Sequence, residues 1–203
     1  VIGTVVGLVG CSLVLGLVLG VTCFAAWRAP RGRPCRTDSA RRPADLRELV
    51  DRLSPVARQA LESAAALALV RSHYRVEVEH WLLRLAEDPD ADLAQLFFFY
   101  ELLTRPLHRD LAAAVGRFPE GCARVPILAP DLVRLLGLGW DAARREFDAT
   151  HLRSGHVLFA ALADGWLAAR LDGVSPEFAK LDRESLRDHL GELVPAAEEP
   201  QWY

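Results

Sequence analysis

Methionine is absent from this 203-residue chain, and lysine occurs once, at Lys180, among 24 basic residues. Arginine carries the rest, a skew that coding bias explains without invoking a site. A methionine-free chain that begins at Val1 is expected to have its native start elsewhere. No excess of positive charge exists either: the net charge is −3, which gives nucleic-acid binding no support. Cysteine is scarce. Cys11, Cys23, Cys35 and Cys122 form no C-x-x-C pair and no zinc-ligand spacing, so a reducing compartment is the simpler assumption. Also missing are G-x-x-x-x-G-K-[ST], H-E-x-x-H, H-x-x-x-H and G-x-S-x-G. Without them the chain offers no phosphate-cradling loop, no helical zinc pair and no elbow for a serine nucleophile. No catalytic residue, no metal and no cofactor is therefore expected within it.

Charge is missing in one more place. Val1 to Trp27 holds no charged residue, and its polar side chains are Thr4, Ser12 and Thr22. At about 1.5 Å per residue a helix of this length reaches roughly 40 Å, more than a hydrocarbon core needs. Residues 1–27 are expected to form one transmembrane helix. Arg28, Arg31, Arg33, Arg36, Arg41 and Arg42 follow, and nothing basic precedes. The positive-inside rule then predicts a single-pass protein with its globular part in the cytoplasm. Residues 28–44, rich in Pro and Arg, read as a flexible linker.

What is present from Asp45 onward is helical period. "DLRELVDRL" sets Leu46, Leu49, Val50 and Leu53 on one stripe. Ser54 and Pro55 form a helix start, as N-cap and first-turn residue, for the Ala/Leu-rich run that follows. A further helix begins near Val78. Asp90 or Asp92 is expected to cap the next, and Thr104 with Pro106 opens a fourth. After the breakers Pro119, Gly121 and Pro126 the series restarts. Leu53, Pro55 and Leu61 are matched 75 positions later by Leu128, Pro130 and Leu136, and His80 is matched 76 positions later by His156. Ser154, Ser175 and Asp182 are the expected caps of the second series. Two copies of a roughly 75-residue unit each have a marginal core alone and one shared core together. The fold predicted is all-α: two pseudo-twofold helical repeats, a double four-helix unit, over about 45–194. The repeats span about 53–118 and 128–194, and 195–203 is a tail or linker.

The repeated "EHWLLRLAED" and "GHVLFAALAD" tempt a metal reading of His80 and His156. Neither has further ligands at helix or loop spacing, so both are read as structural, each bonding the backbone at a helix terminus. Glu77 and Glu79 complement a helix dipole more simply than they form a catalytic pair. The aromatic run Phe97 to Tyr100 cannot turn every ring to one core. One or two rings are expected outside, either at a tight helix end or as a second binding patch.

The two segments His80-Trp81-Leu82-Leu83-Arg84-Leu85 and His156 to Leu162, with the "L-x-P" helix openings, resemble the Clp N-terminal (Clp repeat) domain of AAA+ unfoldases. "SHYRVEVEHWLLRLAEDPDADLAQL", "RSGHVLFAALAD", "VSPEFAKLDRESLRDHL" and the leading helix resemble the ClpV (TssH) branch, over roughly Ala44 to Val194. That resemblance implies recognition without catalysis. The domain would bind the N-terminal helix of a contractile type VI secretion sheath subunit, or another client, for ATP-driven disassembly. ATP would enter only if AAA+ rings follow this chain. The implied mode is helix-in-groove, with candidate contacts Leu46, Leu49, Val50, Leu53, Val56, Gln59 and Ala60. The same stripe also suits packing of the leading helix on the domain. A membrane span is unusual for this branch. A tethered orphan adaptor, or the regulatory N-terminal piece of an unfoldase, is the alternative.

Overall fold

The computed structural model describes residues 46–193. The expected membrane span, the Arg/Pro-rich linker and the C-terminal tail lie outside the described residues. Among those described, no helix is long and apolar enough to cross a membrane.

After a short leading helix, α1 (Leu46–Asp51), come two helical series. The first is α2 (Pro55–Val70), α3 (Val78–Glu87), α4 (Asp92–Phe99) and α5 (Thr104–Val115). The second is α6 (Pro130–Glu146), α7 (Ser154–Ala163), α8 (Gly165–Val174) and α9 (Arg183–Leu193), with a 3-10 turn at Phe178–Lys180. The fourfold repetition matches the predicted duplication. Ser54 caps α2 as its residue type demands, its Oγ accepting the Ala57 N–H at 3.3 Å. Asp182 does the same for α9, accepting from Ser185 N–H at 2.9 Å.

Three expected caps are elsewhere. Ser175 is the C-cap of α8, its Oγ donating to Asp110 at 2.8 Å, and Glu177 holds the N-cap place of the 3-10 turn. Ser154 is the first residue of α7, not its N-cap; Arg153 holds that place, and the buried Ser154 Oγ has no hydrogen-bond partner. Asp92 likewise lies inside the first turn of α4, where its carboxylate turns to α7. Where α2 and α6 end, Ser72 (φ 54°) and Asp148 (φ 48°) both adopt the left-handed conformation, 76 positions apart, so the duplication extends to the turn.

The structure adds β pairing to the all-α expectation. β1 (Arg75–Val76) and β2 (Ile127–Leu128) pair in parallel, with Val76 opposite Leu128. An isolated parallel bridge joins Leu53 to Leu152. Leu53 precedes α2 and Leu128 precedes α6; Val76 precedes α3 and Leu152 precedes α7. The pseudo-twofold thus exchanges the two pairings, and each repeat borrows its strand partner from the other.

One hydrophobic core runs through both repeats, from Leu49 and Leu53 to Leu186 and Leu190. Trp81 is fully buried, and its indole N–H donates to Ala57 O at 3.1 Å, tying α3 to α2. Gly155 marks where α7 meets α9: a Cβ there would lie 2.5 Å from Leu190 Cδ2. The leading helix packs on α6 of the second repeat.

Candidate peptide-binding groove

The outer face of α2 and the C-terminal half of α3 enclose an open groove of about 610 Å³. Its α2 wall is Gln59, Ala60, Ser63, Ala66, Leu67 and Val70, the i, i+3, i+4 series of one helix stripe. The opposite stripe of α2, Ala57, Leu61, Ala64 and Ala68, is buried in the core. Thus α2 is apolar on two sides. On the groove side Ala60, Ser63 and Ala66 are small and leave a concavity, while Gln59, Leu67 and Val70 are larger.

Arg84, Glu87, Asp88 and Pro89 close the other side. Glu87 is shared. One carboxylate oxygen accepts from His108 Nε2 at 2.7 Å and the other is paired with Arg84. Burial works to raise the Glu87 pKa, and the hydrogen bonds from His108 and Arg84 outweigh it, holding the pKa below the ordinary value. Arg84 Nε is shielded from solvent and has no hydrogen-bond partner.

The second repeat holds the equivalent depression, between α6 and α7, at about 220 Å³. Leu138, Asp141, Ala142 and Arg145 stand where Ser63, Ala66, Leu67 and Val70 stand in the first. The exposed apolar residues are replaced by charge. From α9, Arg183 lies over the Phe159 ring at 5.3 Å and Arg187 pairs with Glu146 at 2.8 Å. The second groove is the smaller and the more polar of the two.

Of the sequence candidates, Gln59 and Ala60 line the larger groove. Leu49 and Leu53 are buried in the core, and Val50 and Val56 are half-buried against it. Leu46 is exposed at 38%, and α1 contributes nothing to the lining of this groove. The stripe of α1 docks the helix: Arg58 Nη2 donates to Val50 O at 2.9 Å, and the Arg52 guanidinium sits 5.0 Å from the Trp140 ring. The sequence reading passed over Ser63, Ala66, Leu67 and Val70 on α2, and Arg84, Glu87, Asp88 and Pro89 on the other side. For the α2 residues the signal was the run "ESAAALALV", which is too apolar for a helix with one buried side.

The repeat histidines are structural. His80 and His156 occupy the third position of α3 and α7, and each Nδ1 accepts the N–H of its helix's N-cap residue. The distances are 3.1 Å from Glu77 and 3.3 Å from Arg153. An accepting Nδ1 puts the remaining proton on Nε2. In His80 that N–H donates to His73 Nδ1 at 2.8 Å, which leaves the proton of His73 on its own buried, unpartnered Nε2. His156 bonds the His151 backbone instead. Burial lowers the pKa of both His80 and His156 to about 4, and of His73 also, so all three are neutral at pH 7. Among the described residues no group of three or more His, Cys, Asp or Glu could hold a metal ion.

Glu77 and Glu79 belong to an ion-pair cluster. Arg170 of α8 donates to Glu79 at 2.6 and 2.7 Å, to Glu77 at 3.1 Å and to Asp131 at 3.0 Å. Burial alone would lower the guanidinium pKa, but Glu79 and then Glu77 raise it above the ordinary value. In the aromatic run, Phe97 is buried while Phe98 is 88% exposed. Phe99 packs on His189 with ring centroids 3.9 Å apart.

The Clp repeat (R) N-terminal domain family matches residues 52–171 of the chain. The AAA+ ATPase ClpV1 of Pseudomonas aeruginosa is 30% identical over 151 residues, which are 74% of this chain and 17% of that protein. The N-terminal domain of the ClpV1 ATPase of the E. coli EAEC Sci1 type VI system superposes with a TM-score of 0.67 at 31% identity, covering 78% of this chain and 96% of that one. A ClpV N-domain in complex with a VipB peptide superposes with a TM-score of 0.67 at 25% identity, covering 80% and 99%. The chain thus spans about a sixth of the length of the ClpV1 protein it matches.

Proposed function

The chain belongs to the Clp repeat (R) N-terminal domain family, and from that we propose that residues 46–193 recognise a substrate without chemistry of their own. An amphipathic helix of a type VI secretion sheath subunit, or of another client, docks in the groove between α2 and α3. The observation that carries this reading is the groove-facing stripe of α2, where Ala60, Ala66, Leu67 and Val70 present apolar surface beside Gln59 and Ser63. The ClpV N-domain that binds a VipB peptide supports it. The client then passes to ATP-driven rings outside this chain. The share of ClpV1 that the chain matches favours a regulatory N-terminal piece of such an unfoldase.

Titration of a labelled VipB peptide into the full chain tests the groove. Ala66 is exposed, so Ala66→Trp fills the groove without entering the core. The change is expected to weaken binding by about tenfold or more, a loss of about 1.4 kcal/mol. Leu138→Trp, in the smaller depression, is expected to leave binding unchanged. Equal binding by the Ala66 variant and the parent removes the groove from consideration.

The uncharged stretch Val1–Trp27, followed by its arginines, supports tethering of this module at the cytoplasmic face of a bacterial inner membrane. Protease added outside intact cells is then expected to spare the domain. Digestion from that side would rule out this orientation.

A further inference from the structure

Among the described side chains that line the larger groove, Arg84 carries the one solvent-shielded donor without an acceptor, its Nε. The side chain as a whole is 30% exposed, so a ligand reaches the Nη end of the fork first and Nε only when the side chain turns. A guanidinium offers five N–H donors in a planar fork, suited to two parallel bonds with a carboxylate. At present Arg84 spends its Nη1 on Glu87, and a shielded charged donor left unmet is costly. Glu87, by contrast, does not depend on Arg84 alone, because its second oxygen is held by His108 Nε2 at 2.7 Å. The acid keeps a partner if Arg84 turns away.

We propose that Arg84 is the specificity element of this groove, engaging a carboxylate on the client helix while His108 retains Glu87. The inference rests on the groove reading above and deepens it. The preferred client is an amphipathic helix with small or apolar contact residues and one Asp or Glu, positioned to reach the α3 side when the helix lies along α2. An uncharged side chain at that point leaves Arg84 as it is and gains nothing. A basic one meets Arg84 head-on.

The test uses the full chain and a set of synthetic helical peptides that share one apolar face. Each carries Glu, Gln or Lys at one of the successive rim positions of that face. At one rim position the Glu peptide is expected to bind about tenfold more tightly than its Gln counterpart, and the Lys peptide more weakly than either. Arg84→Leu is expected to bring the Glu and Gln peptides to within twofold of each other while both still bind. Arg84→Lys keeps the charge without the fork and is expected to restore part of the preference. Circular dichroism and urea midpoints of the variants establish that they are folded. Loss of fold in Arg84→Leu moves the comparison to Arg84→Gln, for which the same levelling is expected. If all peptides bind the parent chain equally at every rim position, the groove stands and the Arg84 inference is overturned. If none binds, both fall.

Discussion

At the head of α3 the N-cap residue is Glu77, and the cation that reaches it from the other repeat is Arg170. At the head of α7 the N-cap residue is Arg153, and the anion that reaches it from the other repeat is Asp92, at 2.6 and 3.2 Å. The places correspond under the pseudo-twofold, and the charges are inverted. Two positions further the contrast continues. Glu79 is buried in the Arg170 cluster, while its counterpart Gly155 offers a bare N–H, which donates to Asp92 at 3.2 Å. Duplication has kept the backbone arrangement and let the ion pairs diverge. Two first repeats placed together would set Glu77 and Glu79 against Ala94, the counterpart of Arg170, and would lack a cation. The difference specifies which half pairs with which, a role that buried ion pairs fill better than they supply net stability.

Breaking the clamps is the largest expected effect. Arg170→Leu strands three carboxylates, Glu77, Glu79 and Asp131, of which Glu79 is buried, and is expected to cost about 3–5 kcal/mol. Asp92→Asn keeps one acceptor for the Gly155 N–H and is expected to cost less, about 1–3 kcal/mol. Urea unfolding followed by circular dichroism separates the two. Equal losses would mean that the clamps do not differ in weight.

The histidines sharpen the comparison at a smaller scale. Their pKa falls from 6.5 to about 4 on folding, so the unfolded chain takes up protons first as the pH drops. Stability from this source is complete above pH 6.5, declines between 6.5 and 4, and is lost below. His80→Gln and His156→Gln should each flatten the urea midpoint against pH across that window. The His80 change also strands the His73 ring, so it should lower the midpoint at pH 7 more than the His156 change. An unaltered pH profile in both variants would contradict the neutral, accepting imidazoles.

The smallest effect lies at the paired left-handed turns. Ser72→Gly should stabilise by about 0.5–1 kcal/mol and Asp148→Gly by less, because Asp tolerates that conformation better than Ser. Thermal midpoints give the order, and a reversed order would show that side-chain contacts outweigh backbone strain there.

These features differed in how visible they were in the sequence. Ser54 with Pro55, Asp182 and the matched histidines are local signals, and each produced the element or bond its residue type requires. The strand pairs have two residues or fewer on each side, too short to show a period. Ser154 outranked Arg153 as a cap by residue type, but the N-cap N–H was already taken by His156, and tertiary pairing claimed Arg153. Asp92 was drawn away from its own helix in the same way. Both clamps join residues more than 60 positions apart, where composition carries no information. The groove was half legible. Gln59 and Ala60 line it, but the leading helix expected beside them does not, and the other wall is the end of α3 with Arg84 and Glu87, which no local signal in the sequence joins to α2.

The exchanged strand partners also bear on how the chain comes off the ribosome. Leu53 and Val76 emerge first, yet their partners Leu152 and Leu128 lie in the second half. At about 5–20 residues per second the first repeat waits on the order of 5–20 s for Leu152 after Leu53 has been made. Throughout that interval the nascent repeat presents open strand edges and an uncovered face of its core. Synthesis of this domain therefore has a built-in period of vulnerability, which ends only when the second repeat is translated.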